Sequence, residues 1–226
     1  MGEQMKIGIL FSGGKDSMYA CWTAKKMGHD IGCLISIYSE NEDSFMFHTP
    51  SIQQVEKQAE VMNIPLLTRK TRGEKETELD DLEKIIREAI QKYRIEGIVT
   101  GAIKSVYQAS RVQKICNAFG IECFNPLWQK NQGEHLQDLI KNKFEVVITG
   151  VAAFPFDKKF LGRKIDSTFI SEMKSLEKKY GVNPAGEGGE FESFVLDCPL
   201  FLRRLKVISY RDFGERHSWR REVEVR

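Results

Sequence analysis

A buried-strand pattern over Lys6–Ser12 passes directly into Ser-Gly-Gly-Lys-Asp-Ser at residues 12–17. Residues 17–27 then have the pattern of a helix, which Gly28 ends. A strand, a glycine turn and a helix start bring unpaired backbone N–H groups to one point. The arrangement therefore favours the binding of an anion.

The turn also has the side chains of a phosphate-binding loop. Glycine lets the backbone approach an anion closely, hydroxyls donate hydrogen bonds and a lysine adds a point charge. These residues are Ser12, Gly13, Gly14, Lys15 and Ser17. The alternative is a tight strand–helix turn with a capping side chain, and we expect the turn to be exposed.

Asp16 separates this turn from a Walker loop. Asp16 stands where that loop has Ser or Thr, and Ile9 stands where its first glycine belongs. Because an aspartate repels a polyphosphate unless a cation intervenes, Asp16 predicts bound Mg²⁺. If there is no cation, Asp16 caps the helix.

Strand and helix patterns alternate as far as residue 126. Strands are predicted at 31–38, 64–68, 97–103 and 121–125, and helices at 51–62, 76–94 and 105–120. This alternation predicts an α/β, Rossmann-like parallel sheet in a nucleotide-binding domain, residues 1–126. Ligands bind such sheets at the carboxyl ends of their strands.

The pattern changes near residue 127, and we predict a smaller C-terminal α+β substrate-binding domain over residues 127–226. It has a strand at 144–151, a helix at 165–180 and a glycine-rich loop at 183–193. From Leu205 onward, alternating residues predict an antiparallel hairpin around Asp212-Phe-Gly.

Composition narrows the functional classes. A net charge of +2 argues against non-specific nucleic-acid binding, and we expect no direct nucleic-acid partner. The five cysteines form no C-x-x-C pair, which fits a reducing, cytoplasmic compartment. We find no run of about 18 apolar residues, so we expect no membrane span, and the N-terminal apolar stretch is too short for a signal peptide.

Two further motifs carry polar side chains. The first of them starts at residue 101 and reads Gly-Ala-Ile-Lys-Ser-Val-Tyr-Gln. Because it follows a parallel strand, we expect its loop to lie near the nucleotide. Its side chains at helical spacing are Ser105, Tyr107, Gln108 and Arg111, and the alternative for Tyr107 and Arg111 is ordinary packing and surface charge. In Gly-Glu-Gly-Gly-Glu-Phe-Glu-Ser, residues 186–193, close carboxylates favour a cation, and the alternative is a solvated acidic turn.

Residues 12–17 resemble the signature of the N-type ATP pyrophosphatases. The resemblance implies an adenine nucleotide α-hydrolase fold and cleavage of ATP between its α- and β-phosphates. The three motifs in this order, with Met-Phe-His-Thr-Pro at 46–50, are similar to the diphthine–ammonia ligase family. That family implies an acyl-adenylate route from diphthine on translation elongation factor 2, with ammonium, to the amide.

The resemblance also implies site residues. The implied catalytic residues are Lys15, Asp16, Glu187 and Glu190, with Asp16 at the metal. The implied ATP-binding residues are Ser12, Gly13, Gly14, Lys15, Asp16, Ser17, His48, Gly101 and Ala102. The implied substrate-binding residues are Ser105, Tyr107, Gln108, Arg111, Gly188, Gly189, Phe191 and Glu192.

The resemblance implies ATP and Mg²⁺ as cofactors and elongation factor 2 and ammonium as partners. A homodimer is part of the prediction, and the length suggests the minimal, archaeal-type form. Three alternatives stay open: a tRNA-modifying ATP pyrophosphatase, amide formation in cobamide salvage, and a nucleotide sensor without turnover.

Overall fold

The computed structural model describes residues 4–39, 54–72 and 77–226, which form two compact units. Of these residues, the first unit contains 4–12, 16–39, 63–72 and 77–128. The second contains 13–15, 54–62 and 129–226. The chain thus enters the second unit at Gly13 and returns to the first at Asp16.

A parallel sheet organises the first unit. Its strands are β1 (Lys6–Leu10), β2 (Asp30–Ser39), β3 (Leu66–Thr71), β4 (Gly97–Val99) and β5 (Glu122–Phe124). Their spatial order is β3-β2-β1-β4-β5, and every neighbouring pair is parallel. The order reverses between β1 and β4, so the loops that leave these strands lie where such sheets bind ligands. The predicted Rossmann-like sheet is confirmed.

Helices α1 (Lys15–Lys26), α3 (Thr77–Tyr93) and α4 (Val106–Phe119) connect these strands. The apolar stripe of α3 is buried, and Leu82, Ile85 and Ile86 share one core cluster with Ile35 and Ile98 of the sheet. Acidic residues lie in the first turn of α3 and Lys92 in its last, which suits the helix dipole.

An antiparallel sheet organises the second unit. Its strands are β6 (Glu145–Val151), β7 (Phe191–Asp197), β8 (Val207–Glu215) and β9 (Ser218–Val225), in the order β7-β6-β9-β8. The helices of this unit are α2 (Val55–Met62), α5 (Gln132–Lys141) and α6 (Ser167–Tyr180), with a short 3₁₀ helix at Lys158–Phe160. Val61 of α2 shares a core cluster with Phe194 of β7 and Val223 of β9.

Three features of the second unit differ from the prediction. Helix α5 was not predicted, and the last residues of the glycine-rich motif form the start of β7 rather than a loop. The hairpin is present, but its turn lies at Arg216–His217, and Asp212-Phe-Gly lies inside β8. The backbone of β9 passes close to Gly214, because a Cβ on this residue would lie 2.6 Å from Trp219 Cα. None of the helices in the described ranges has the length and apolar character needed to cross a bilayer.

Candidate active site

The phosphate loop, residues 12–17, begins where β1 leaves the sheet of the first unit. Ser12 N–H donates to Ser17 Oγ at 3.2 Å, and the two hydroxyl oxygens lie 3.1 Å apart. Just upstream, Ser36 Oγ of β2 donates to the Phe11 carbonyl at 2.5 Å. These bonds fix the backbone at the start of the loop.

The loop after β4 approaches the first turn of α1 at Gly101. A Cβ on Gly101 would lie 2.7 Å from the backbone nitrogen of Ser17, so this approach requires glycine. Thr100 Oγ1 accepts from Ala102 N–H at 3.1 Å and donates to Asn125 Oδ1, after β5, at 2.5 Å. The structure therefore brings predicted ATP-binding residues from both motifs to one edge of the sheet.

In the second unit, the middle of the phosphate loop is bonded to strand β7. Val195 N–H donates to the Gly13 carbonyl, and Lys15 N–H donates to Ser193 Oγ, each at 3.2 Å. The side chain of Lys15 is 3% exposed, and its Nζ lies 5.3 Å from the centroid of the Phe191 ring. The expectation of an exposed turn is wrong, because β7 contacts Lys15 along both backbone and side chain.

The glycine-rich motif folds around its own glutamate. Glu190 Oε1 accepts from Asn183 N–H at 2.7 Å, and Oε2 accepts from Gly188 N–H at 2.8 Å. Gly186 and Gly189 have φ of +78° and +82°, which L side chains rarely adopt. Glu190 is buried and stabilises this loop, and its catalytic role stays a prediction.

A buried amide of α5 supports the same loop and was missed in the sequence. Gln132 Nε2 donates to Asn183 Oδ1 at 2.9 Å, and Gln132 Oε1 accepts from Ala185 N–H at 3.1 Å. The available signal was Asn131 three residues before Glu134, a helix-capping spacing. Asn131 Oδ1 does accept from Glu134 N–H, at 3.0 Å.

Glu192 is the last glutamate of the motif and the second residue of β7. Burial raises the pKa of Glu192 to about 8, and the positive charges of Arg220 and Lys15 lower it only partly. Glu192 pairs with Gly150 of β6, which pairs on its other side with Arg220 of β9.

The other predicted site residues of the glycine-rich motif differ in their exposure to solvent. Phe191 is buried and contacts Phe169 edge-on at 5.6 Å between ring centroids. Glu187 is half-buried, and Gly188 and Gly189 are exposed. Substrate binding by Phe191 stays a prediction, because its ring contacts Lys15 and the core.

The four candidates in the second motif make local contacts on α4. Ser105 is the N-cap, and its Oγ accepts from Gln108 N–H at 3.3 Å. The guanidinium carbon of Arg111 lies 3.4 Å from the centroid of the Tyr107 ring. The contact between Ser105 and Gln108 agrees with their predicted helical spacing, whereas the stacking of Arg111 on Tyr107 was not predicted. The substrate-binding role of all four residues stays a prediction. His48 and Met-Phe-His-Thr-Pro lie outside the described residues.

The reversed strand order, with Ser-Gly-Gly-Lys-Asp-Ser after β1, defines a doubly wound α/β protein, a class that binds its ligands at this edge of the sheet. The family model for the diphthamide synthase N-terminal domain matches residues 5–123, and that for the C-terminal domain matches residues 132–223. The chain belongs to the diphthamide synthase family.

Curated relatives agree with this membership. Diphthine–ammonia ligase of Bos taurus is 36% identical over 224 residues, covering 91% of this chain and 84% of that protein. The Homo sapiens enzyme of the same name has the same identity and coverage. The Schizosaccharomyces pombe enzyme is 32% identical over 230 residues, which cover 95% of this chain and 38% of that protein. These relatives confirm the predicted family, whose members are ATP-using ligases that form C–N bonds.

Proposed function

We propose that this chain joins ammonium to diphthine on translation elongation factor 2 while ATP is cleaved to AMP and pyrophosphate. The observation that carries the proposal is the bonding of Gly13 and Lys15 to Val195 and Ser193. The latter two residues belong to the strand that leaves the glutamate motif. Loop and motif are thus parts of one local structure, as a nucleotide site beside an acceptor site requires.

In the first step, a carboxylate oxygen of diphthine attacks the α-phosphorus, and the bond to the β-phosphate breaks. Negative charge develops on the departing pyrophosphate. The Lys15 ammonium, the start of α1 and the hydroxyls of Ser12 and Ser17 stabilise that charge. The contact with β7 keeps the lysine in place before reaction, so little reorganisation is needed.

In the second step, ammonia attacks the acyl carbon of the adenylate, and AMP leaves. Ammonium must first lose a proton, and Glu192 is our candidate base because its raised pKa, about 8, makes its carboxylate a stronger base than an ordinary one. Glu190 positions the loop through its two backbone bonds. Glu187 is the candidate partner of the trimethylammonium group of diphthine.

Magnesium fits this site as a companion of ATP. The described residues contain no cluster of three or more His, Cys, Asp or Glu that could hold a metal. Mg²⁺ commonly needs only one or two protein carboxylates, with phosphate oxygens and waters as its other ligands. Asp16, in the first turn of α1, would be that carboxylate. The ion would supply charge neutralisation on the phosphates.

The partners and compartment follow from the same proposal. The protein substrate would be elongation factor 2 and the nitrogen source free ammonium. All five cysteines are free thiols, which supports a reducing, cytoplasmic location. A homodimer stays a prediction.

An assay of AMP and pyrophosphate with ammonium tests the function. Diphthine-bearing elongation factor should stimulate both products, and the unmodified factor should not. Equal AMP with both factors would overturn the proposal. Stimulation by tRNA or by a cobamide precursor would identify a rival ligase, and ATP binding without turnover would identify a sensor.

A further inference from the structure

Helix α2 contributes a glutamine that bridges the phosphate loop and strand β7. Gln58 is fully buried, and its Nε2 donates to the Gly13 carbonyl at 3.0 Å and to the Val195 carbonyl at 2.8 Å. Val195 N–H donates to the same Gly13 carbonyl at 3.2 Å. One side-chain amide and one strand residue therefore fix the position of the Gly13 peptide.

The surroundings of this amide leave it little freedom. Gly13 has a φ of +78°, and a Cβ on it would collide with Gln58 Oε1 and lie 3.1 Å from Val55. Glycine and glutamine therefore fit together as a pair, and the amide lies directly against the loop backbone.

Filling space alone does not account for a glutamine here. Gln58 Oε1 is buried and has no hydrogen-bond partner among the described residues. Burying an amide oxygen without a partner is unfavourable, whereas a methionine would fill a similar volume without that cost. What glutamine adds is the pair of hydrogen bonds from Nε2, and both go to backbone that positions the phosphate loop.

We propose that Gln58 is a positioning residue of the ATP reaction. It holds Gly13 in its left-handed conformation and keeps the phosphate loop in register with β7, which leads back to Glu190. This inference rests on the proposed function, because it assigns the loop to pyrophosphate. Loss of the bridge should weaken ATP binding and slow AMP formation, and should leave the KM for ammonium unchanged.

The test uses the full chain with Gln58→Met, which keeps the volume and removes both donated bonds. We expect the KM for ATP to rise, or kcat to fall, by about tenfold, because two neutral hydrogen bonds are lost. Equilibrium dialysis with ATP, in the absence of the diphthine acceptor, should show that Gln58→Met binds ATP more weakly than the unaltered chain. Leu139→Ala, a buried change in α5, controls for general loss of stability and should leave the KM for ATP unchanged.

Ser193→Ala is a milder second variant, because it removes only the hydroxyl that accepts from Lys15 N–H. It should raise the KM for ATP in the same direction, whether or not Gln58→Met folds. An unchanged KM and kcat in Gln58→Met or Ser193→Ala, or an equal loss in Leu139→Ala, would overturn the positioning role. Failure of the unaltered chain to bind ATP would instead overturn the proposed function.

Discussion

The backbone N–H of Lys15 donates to Ser193 Oγ at 3.2 Å, across 178 positions of sequence. Lys15 is the first residue of α1, where a helix leaves its N–H groups without partners in the helix. The serine satisfies one of them. The phosphate would then be met by the Lys15 ammonium and by the neighbouring backbone groups, rather than by this N–H.

Replacing Lys15 by methionine removes the charge of the side chain and keeps most of its packing, so it tests the charge alone. The stem of Lys15 is buried against β7, so Lys15→Met should keep the fold, whereas Lys15→Ala also removes buried volume. We expect AMP formation to fall about 10²–10³-fold, as when one transition-state charge partner is removed. Lys26→Met, at the exposed end of α1, should retain full activity.

Thermal unfolding of Lys15→Met should stay close to that of the unaltered chain. If AMP production persists in this variant, Lys15 does not stabilise the departing pyrophosphate. A large fall in Tm would instead show that the charge itself stabilises the fold.

Alanine at Gly101 should disturb the start of α1. Its Cβ would lie 2.7 Å from Ser17 N and 2.8 Å from the carbonyl carbon of Asp16, both of them backbone atoms. Overpacking of this kind costs about 1–3 kcal/mol of folding free energy, and the displaced turn should also bind ATP less tightly. Urea unfolding and ATP titration measure the two effects.

Gly133 provides the matched control for that substitution. A Cβ on Gly133 would meet only Asn131 Oδ1, at 3.4 Å, and the residue lies in helix α5. Gly133→Ala should therefore raise the free energy of unfolding by roughly 0.5 kcal/mol. Equal destabilisation by both alanines would contradict the argument from close backbone approach.

The fold of the first unit could be predicted because its signals are local. Helix α3 has an apolar stripe with charges suited to its dipole, and β1 and β2 are nearly continuous apolar runs. Such patterns fix the type and order of elements, and alternation then predicts a parallel sheet. The turn between β1 and α1 was predicted in the same way, because glycines between a strand and a helix limit the conformations available, and phosphate binding there stays a prediction.

The features that were missed depend on long-range contacts. Strand β7 begins inside a glycine-rich stretch, and its pairing with β6 and with Gly13 overrides that local loop signal. Asp212-Phe-Gly has turn chemistry, yet Asp212 instead accepts two bonds from Arg221 across the hairpin. Gln58 lies in an ordinary amphipathic helix, so only tertiary structure reveals its bridge.

The ion pair between Arg204 and Glu145 should contribute to stability above acid pH. Arg204 donates two bonds to Glu145, at 2.6 and 2.7 Å, and these bonds, together with the Lys164 ammonium at 2.7 Å, lower the pKa of Glu145 to about 2. The contribution is present above the unfolded pKa of about 4.3 and is lost as the pH falls toward 2. Arg204→Met should cost about 1 kcal/mol at pH 7, since the arginine is partly exposed.

Urea unfolding between pH 2 and 7 tests this contribution. The difference between Arg204→Met and the unaltered chain should shrink as the acid is added. Arg203→Met removes an exposed pair with Glu60 and should have little effect at any pH. A difference that stayed constant down to pH 2 would show that Arg204 acts through packing instead.

Glu192→Gln should stabilise the protein, and the gain should grow with pH. Burial raises the pKa of Glu192 to about 8, against about 4.3 in the unfolded chain. Between these values the folded state holds a proton that the unfolded state has lost, so stability falls as the pH rises through this window. Glutamine removes that penalty. The gain should be near zero at pH 4 and approach about 5 kcal/mol above pH 8.

Chemical unfolding of both proteins at several pH values, with Glu224→Gln as the exposed control on β9, measures this gain.

The activity of Glu192→Gln should fall while its stability rises, because the base proposed for ammonium is lost. In the unaltered chain the pH dependence of the amide-forming rate should become shallower near pH 8, where Glu192 is ionised. In Glu192→Gln the rate should be low and should rise with pH without a break near 8, because only free ammonia then reacts. Greater stability together with lost activity fits a carboxyl group kept in a costly environment for its chemistry. A variant that gained stability and kept its full rate and pH profile would remove Glu192 from the reaction and leave Glu187 and Glu190 as the candidate bases.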